Sequence, residues 1–285
     1  MFTSGPRPPV SATAQVSIQR VVRREFAGPA TSAADPDRRA RLREYLSDLV
    51  RPYGTVLREE LFGEANGHSY GEMAAAVAPG DPVDLVVLAY AIPDVRPGRA
   101  TATYLSHILP GNPLAFAICD QGPAAGFTGL RLVREYLGGD EHRRALLIVV
   151  EQSVLHYEPA APAGVPDGHY AVALLCAGSG PARVAAIDQF RGVSLAEAPP
   201  LLARCDARCD AGTEAGTAIL GAGLASVGLS TVERVRRASP GRPYTGVWWE
   251  LAEELSSGRP LMLAEYDPML GYLCVSTIDS WERAR

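Results

Sequence analysis

Ala115-Phe-Ala-Ile-Cys-Asp-Gln-Gly-Pro-Ala-Ala-Gly-Phe127 is an apolar run broken by Asp120-Gln-Gly-Pro123 and resumed by small residues. The residues before the break suit a buried strand and those from Ala124 onward suit a helix. The segment is therefore read as a strand followed by a helix. A cysteine at the first residue of a helix is favoured as a thiolate by the positive end of the helix dipole, which makes it a nucleophile. Here that residue is Ala124, and the cysteine of the segment, Cys119, falls five positions earlier at the strand end.

The stretch resembles the nucleophile elbow of the thiolase-like ketosynthase III (β-ketoacyl-ACP synthase III) family, in which Ala-Phe-Asp-Ile leads into Ala-Cys-Ser/Ala-Gly-Phe. Gly126-Phe127-Thr128 matches the Gly-Phe-Thr that follows the family's nucleophile and puts Ala124 at the cysteine position. Val83-Asp-Leu-Val-Val-Leu-Ala-Tyr-Ala-Ile-Pro-Asp94 is similar to the family's Val-Asp-Leu-Val-Val-x-Ala-Thr-x-Thr-Pro-Asp, with a helix from Thr101 to Leu109 following. Arg144-Ala-Leu-Leu-Ile-Val-Val-Glu151 is similar to its strand Val-Leu-Val-Val-x-x-Glu.

Further on, Asp167-Gly168-His-Tyr-Ala-Val-Ala-Leu-Leu175 resembles the strand that opens the family's second half, and Tyr244-Thr-Gly-Val-Trp-Trp-Glu-Leu-Ala-Glu-Glu-Leu255 resembles its Asn-Thr-Ser/Gly helix. Tyr244 takes the place of the catalytic asparagine. The catalytic histidine belongs near 218–223, and no histidine follows His169. The resemblance thus implies a degenerate Cys-His-Asn set that lacks the donors which stabilise the carbanion of a decarboxylative condensation. It implies an α/β chain with the five-layer αβαβα thiolase-like fold from two duplicated halves. These are expected over 1–165 and over a shortened 166–285, joined by the Pro-rich connector 158–166.

The patterning predicts a strand from Val16 to Val22, loops over 23–35 and 62–70, an amphipathic helix from Pro36 to Leu57, and a helix over 123–138. Beyond the connector it predicts strands at 169–177, 182–189 and near 217–220, helices near 195–204, 230–238 and 246–256, and two closing strands, Leu261 to Glu265 and Leu270 to Ser276.

Several residues carry candidate chemistry. Cys119 is either a relocated nucleophile or an inert strand residue. His156 and Tyr157 follow the strand ending in Glu151 at a point that, by the resemblance, faces the cavity, and His156 is either a general base there or a hydrogen-bonded surface histidine. Asp120-Gln121 resembles the Asp-Gln of chain-length factors, the inactive partners of aromatic-polyketide ketosynthases. Gly126 and Phe127 complete the elbow, and the start of the helix at Ala124 is expected to offer backbone N–H groups to an oxyanion. Glu151 is read as scaffold. Cys205 and Cys209 are spaced for one helix face, yet no second ligand pair lies nearby, and no metal site is expected. Gly221-Ala-Gly223-Leu-Ala-Ser-Val-Gly228 has the wrong spacing for a dinucleotide loop.

Composition narrows the class. The 285 residues are 47% hydrophobic, enough for a large core, and the formal net charge of −5 argues against a nucleic-acid surface. The sequence contains no lysine, which excludes Schiff-base chemistry and a Walker-type phosphate lysine. No apolar stretch is long enough to span a membrane, and the opening Met1 to Pro9 lacks the pattern of a secretory signal, so a cytoplasmic protein is expected. The resemblance implies a protein of bacterial secondary-metabolite or fatty-acid and polyketide biosynthesis that acts on or binds acyl-CoA or acyl carrier protein thioesters without condensing them and needs no cofactor. The alternative is a catalytically dead partner of an active ketosynthase. A homodimer or heterodimer is expected through the apolar strand before Glu151, and Arg131, Arg134, Arg143 and Arg144 would suit an acidic carrier protein or a CoA phosphate.

Overall fold

A computed structural model describes residues 15–27, 36–62, 67–96, 99–139, 142–159, 164–206, 216–229, 232 and 234–279. The strands are β1 (Val16–Glu25), β2 (Leu85–Ala89), β3 (Leu114–Ile118), β4 (Arg144–Glu151), β5 (Tyr170–Ala177), β6 (Ala182–Arg191), β7 (Thr217–Leu220), β8 (Arg234–Arg237), β9 (Leu261–Asp267) and β10 (Tyr272–Ile278). The α-helices are α1 (Pro36–Val50), α2 (Tyr70–Val77), α3 (Thr101–Ile108), α4 (Ala124–Leu137), α5 (Ala198–Asp206) and α6 (Gly246–Glu254). The strands make one mixed sheet in the order β3-β2-β4-β5-β1-β6-β10-β9-β7-β8. From one edge, parallel β3, β2 and β4 are followed by antiparallel β5 and then β1. From the other, parallel β8, β7 and β9 are followed by antiparallel β10 and then β6. The two wings meet over three residue pairs, Val16–Ile18 against Ala182–Val184.

Side-chain alternation explains the layering, because a strand's successive residues face opposite sides of the sheet. On β4, Leu146, Ile148 and Val150 face an outer core with α2 and α3, whereas Ala145, Leu147 and Val149 face a central core with α4 and α6. On β9, Leu261 and Leu263 join that same central core, whereas Met262 and Ala264 pack outward with α5. The order through the molecule is α2 and α3, first wing, α4 and α6, second wing, α5. Strands covered on both faces read as unbroken apolar runs, as Leu85-Val-Val-Leu-Ala89 does.

Helix α4 fits between the wings because its inner residues are small. A side chain at Gly126 would meet Trp248 Nε1 of α6 at 2.6 Å. The indole of Trp248 is fully buried, and its ring centroid lies 4.9 Å from that of Phe127.

Several sequence expectations are corrected. The helix from Pro36 ends at Val50 rather than Leu57, where Pro52 starts a short 3₁₀ turn closed by Gly54 in the left-handed region (φ 63°). β1 runs three residues beyond Val22 into the expected loop, because its second half pairs with β5 out to Glu25↔Tyr170. Where a helix over 230–238 was expected, Arg234–Arg237 is a strand parallel to β7. Pairing at the sheet edge overrides the helix-forming arginines there. β4 is no edge for a partner, since β2 and β5 flank it on both sides. The free edges are β8, whose exposed arginines blunt it, and β3, the apolar Leu-Ala-Phe-Ala-Ile. Among the described residues no helix is long and apolar enough to cross a membrane. Cys209 and residues 160–163 of the connector lie outside the described residues.

Gly126→Val drives a branched side chain into the Trp248 indole. It is expected to destabilise the fold by roughly 1–3 kcal/mol or more, read as a lower urea midpoint at unchanged slope. An unchanged midpoint would show that α4 and α6 do not touch in this way.

Candidate functional site

In sheets of this kind a crevice lies beyond the carboxyl ends of the parallel strands. At the ends of β2 and β3 there is a cavity of about 680 Å³. Its floor is Tyr90, Ala91, Pro93 and Asp94 after β2 with Ala117, Cys119 and Asp120 from β3. Tyr45, Leu49 and Val50 of α1 with Tyr53 and Thr55 form one wall, Tyr157 to Pro159 a second, and Arg99 to Ala102 at the start of α3 the third.

Asp94 ties two of these parts together. Its carboxylate accepts hydrogen bonds from the Tyr70 and Arg96 N–H groups (3.3 and 3.1 Å) and from Thr101 Oγ1 (3.0 Å). Burial still raises its pKa above the ordinary carboxylate value. The Arg99 guanidinium stacks 3.6 Å from the Tyr104 ring centroid, and its Nη1 is buried without a hydrogen-bond partner.

The turn after β3 separates an open side from a closed one. Asp120 (φ 59°) and Gly122 (φ 49°) both lie in the left-handed region, which bends the chain within a few residues. Cys119, before the bend, is exposed and lines the cavity. Its Sγ lies 3.2 Å from Asp120 Oδ2, and burial with that carboxylate raises its pKa, so the thiol stays protonated at neutral pH. Ala124, after the bend, is 2% exposed. The N–H groups of Ala124 and Ala125 are bonded to the carbonyls of Gln121 and Gly122 (3.0 and 3.2 Å), so they are not open to an oxyanion as the sequence suggested. The Gln121 side chain turns inward and accepts from Thr128 Oγ1 at 2.6 Å, and Thr128 in turn accepts from Gln189 Nε2 at 3.0 Å.

Carboxylates fill the closed side. Asp267, at the end of β9, presses so closely on the elbow that a side chain at Gly122 would stand 2.2 Å from its Oδ2. Its Oδ1 accepts the Met269 and Leu270 N–H groups at 2.8 and 3.1 Å. Glu265 occupies the turn after β7, where the resemblance put a histidine. Its Oε1 accepts the Gly223 and Tyr266 N–H groups, both at 2.9 Å, and a side chain at Gly221 would stand 1.7 Å from Oε2. Burial pushes Glu265 up to about 8. Glu151 holds the segment that carries Tyr244, accepting the N–H groups of Tyr244 (2.8 Å) and Thr245 (3.3 Å) and the Thr245 hydroxyl. Burial pushes Glu151 to about 7 and, with Glu151 beside it, Tyr244 to about 12.

Cys119 and His156 do not meet. Tyr157 bridges to Leu57 and faces the cavity, whereas the neighbouring His156 ring is buried against Phe62, centroids 4.8 Å apart. Burial and the nearby Arg58 push His156 down to about 4, leaving a neutral imidazole among apolar side chains. Tyr45, Tyr53 and Tyr90 of the cavity and the acids of β9 escaped the sequence reading. The usable signal was Glu265 and Asp267 inside an otherwise apolar strand, since buried acids need a reason. Among the described residues no group of three or more His, Cys, Asp or Glu side chains could hold a metal ion.

No protein-family model matches the chain, and no curated protein matches it in sequence. Solved structures do. AbyA1, a tetronic acid condensing enzyme, is 15% identical over 93% of this chain and 100% of its own, with a TM-score of 0.61. ChlB3, an acyltransferase, is 16% identical over 95% of this chain and 99% of its own, also at 0.61. The 3-oxoacyl-(acyl carrier protein) synthase III of Pseudomonas aeruginosa is 16% identical over 94% and 99%, at 0.55. At such identities the likeness shows the fold alone: a mixed α/β chain on a ten-stranded sheet that resembles the thiolase-like fold.

Buried acids with raised pKa values tie stability to pH. The folded chain keeps protons on Glu265 and Glu151 that the unfolded chain releases. The stability they contribute is therefore complete below about 4.5 and is lost as pH rises through about 7 and about 8. The urea midpoint is expected to fall between pH 6 and pH 9. Glu265→Gln, which keeps an acceptor for the two N–H groups and cannot ionise, should flatten that fall; an identical slope in the variant would remove Glu265 as its source.

Proposed function

We propose that this chain is a ketosynthase III-like protein of bacterial acyl metabolism that binds an acyl thioester, on CoA or on an acyl carrier protein, in the cavity beside Cys119 and does not condense it. One observation carries this reading: the elbow is filled by Ala124 and the Asp267 carboxylate while a ligand-sized cavity stays open next to it. Decarboxylative condensation needs a thiolate and two donors aimed at one carbonyl oxygen. By the sequence resemblance their places fall on the methyl group of Ala124, on Tyr244 and on the glycine turn 221–223, against which Glu265 packs. Cys119 is the thiol positioned to take an acyl group, and its protonated state makes that transfer slow without a base supplied by the ligand. The names of the structural neighbours, a condensing enzyme, an acyltransferase and a 3-oxoacyl-(acyl carrier protein) synthase, favour acyl chemistry of this general kind.

Two further parts belong to the same reading. The matching strand order of the two wings supports a duplicated chain, with the repeats meeting between Ala177 and Ala182 rather than at the connector. The free apolar edge of β3 favours a paired subunit, either a second copy or an active ketosynthase for which this chain is the dead partner.

Intact-protein mass spectrometry with a panel of acyl-CoA and acyl-carrier thioesters tests the chemistry. An adduct absent from Cys119→Ala marks an acyl-transferring protein, and measurable thioester binding with no adduct marks a binding protein. Carbon dioxide release from a malonyl thioester, or a β-ketoacyl product, would overturn the non-condensing reading. For assembly, light scattering of the chain alone or mixed with a ketosynthase should give a mass near twice the 30.3 kDa subunit. Leu114→Glu, at an exposed edge position, should return it to the monomer. A monomer under both conditions removes the subunit reading.

A further inference from the structure

We propose that Arg99 and the first turn of α3 form an oxyanion subsite of the cavity beside Cys119, so that the acyl group bound there ends in a carboxylate. The inference rests on the acyl-thioester reading above and names the class of acyl group.

An unpaired cation comes first. The Arg99 guanidinium lines the cavity, stacks 3.6 Å from the Tyr104 ring centroid, and has its Nη1 buried with no hydrogen-bond partner. Gly71 of α2 lets it lie there, since a side chain at that position would stand 3.2 Å from Nη1. The acids of the same corner are engaged elsewhere. Glu72 pairs with Arg96 at 3.3 Å, and Asp94 accepts from Tyr70, Arg96 and Thr101. Among the described residues the Arg99 guanidinium forms no ion pair. A part-buried guanidinium fixed without an acceptor is unfavourable, and a ligand oxyanion relieves it through charge-assisted hydrogen bonds.

The second observation is the helix start beside it. Ala100 at the head of α3 supplies no side-chain acceptor, and the first turn carries no acid. Thr101 Oγ1 is used as a donor to Asp94. Ala100, Thr101 and Ala102 all line the cavity. The open N–H groups of such a turn and the positive end of its dipole favour an anion next to Arg99.

The third is how charge is distributed over the walls. Asp120, beside Cys119, lies on the floor and Glu158 on the second wall, so the cavity is acidic near its thiol and basic at α3. An acyl chain with a neutral thioester at Cys119 and a carboxylate at Arg99 matches that polarity. Among the described residues Leu49 and Val50 are the only branched aliphatic side chains of the wall, few for a bare alkyl chain.

Isothermal titration of Cys119→Ala, which cannot be acylated there, with N-acetylcysteamine thioesters sets succinyl, glutaryl and adipyl chains against butyryl, pentanoyl and hexanoyl chains. This carrier has no phosphate, so the anion is at the acyl end alone. At least one dicarboxylic chain is expected to bind roughly tenfold more tightly than the uncharged chain of its length, an advantage that shrinks with added salt. Arg99→Met keeps an unbranched side chain over Tyr104 and drops the charge; it should melt no lower than the wild type and lose the preference. Ala100→Asp caps α3 with the chain's own carboxylate; it should melt higher and lose the preference too, and it decides alone if Arg99→Met does not fold. Equal or weaker binding of every dicarboxylic chain, or a preference that survives in either variant, would overturn the subsite and leave the acyl reading in place. If free glutarate binds through Arg99 and no thioester binds, the subsite stands and the acyl reading falls; if no probe binds, both fall. A gain of about tenfold from butyryl-pantetheine to its 4′-phosphate, lost in Arg99→Met, would assign Arg99 to the carrier arm and overturn the acyl-end assignment.

Discussion

Everything at the functional end of this protein follows from helix α4 having to run between two sheet faces. A helix in that position must be narrow, and its first turns carry Ala124, Ala125 and Gly126, all buried. Trp248 comes so close to Gly126 that a single methyl group would not fit between them. The chain can enter such a helix from β3 only by bending within a few residues, which it does through the left-handed Asp120 and Gly122. The bend sorts the side chains. Those before it, Cys119 and Asp120, are turned out to the cavity, and those after it are sealed in the core. One turn therefore decides both that the helix start is inaccessible and that the cysteine is not.

The sealed side shows which electrostatic effect wins in this interior. A carboxylate that accepts several backbone N–H groups tends toward a low pKa, and burial opposes it. At half-buried Asp84 burial is the largest single influence and raises the pKa, yet the N–H groups of Arg144 and Arg143 with the nearby charges of His142 and Arg143 together outweigh it and bring the pKa below the ordinary value. Glu265 accepts comparable donors at 2.9 Å, yet it is pushed up to about 8 because it lies in the core. Desolvation outweighs the hydrogen bonds there. Glu265 is consequently held as a largely neutral filler at neutral pH, joined to its turn by hydrogen bonds.

Much of the fold was legible in the sequence because unbroken apolar strands and a small-residue helix leave strong local patterns. Leu85–Ala89 and Arg144–Glu151 fall where their runs put them, and α6 begins at Gly246 as its pattern indicated. Arg234–Arg237 was illegible because an edge strand of alternating arginines has the composition of an exposed helix, and only its pairing with β7 distinguishes them. The candidate site was half legible. Cys119 and Asp120 could be placed at a strand end from sequence alone. That Tyr157 and not His156 faces the cavity depends on a single bridge to Leu57, which sequence spacing does not reveal. Glu265 and Asp267 were passed over because an acid in an apolar strand acquires its meaning from the glycines that approach it from distant segments.

The two free edges complete the physical picture. β8 carries Arg234, Arg236 and Arg237, and Arg236 is locked to Glu250, Glu253 and Glu254 of α6 at 2.5–2.8 Å, so another strand would have to break charged contacts to pair there. β3 presents no such obstacle: Leu114 is 49% exposed and the strand carries no charge. β3 is also the strand that leads into the strained turn, and its Ala117 lies both on the free edge and in the cavity wall. A strand laid along that edge would fix the backbone immediately before Cys119 and Asp120. Assembly and ligand binding would then draw on the same few residues of β3.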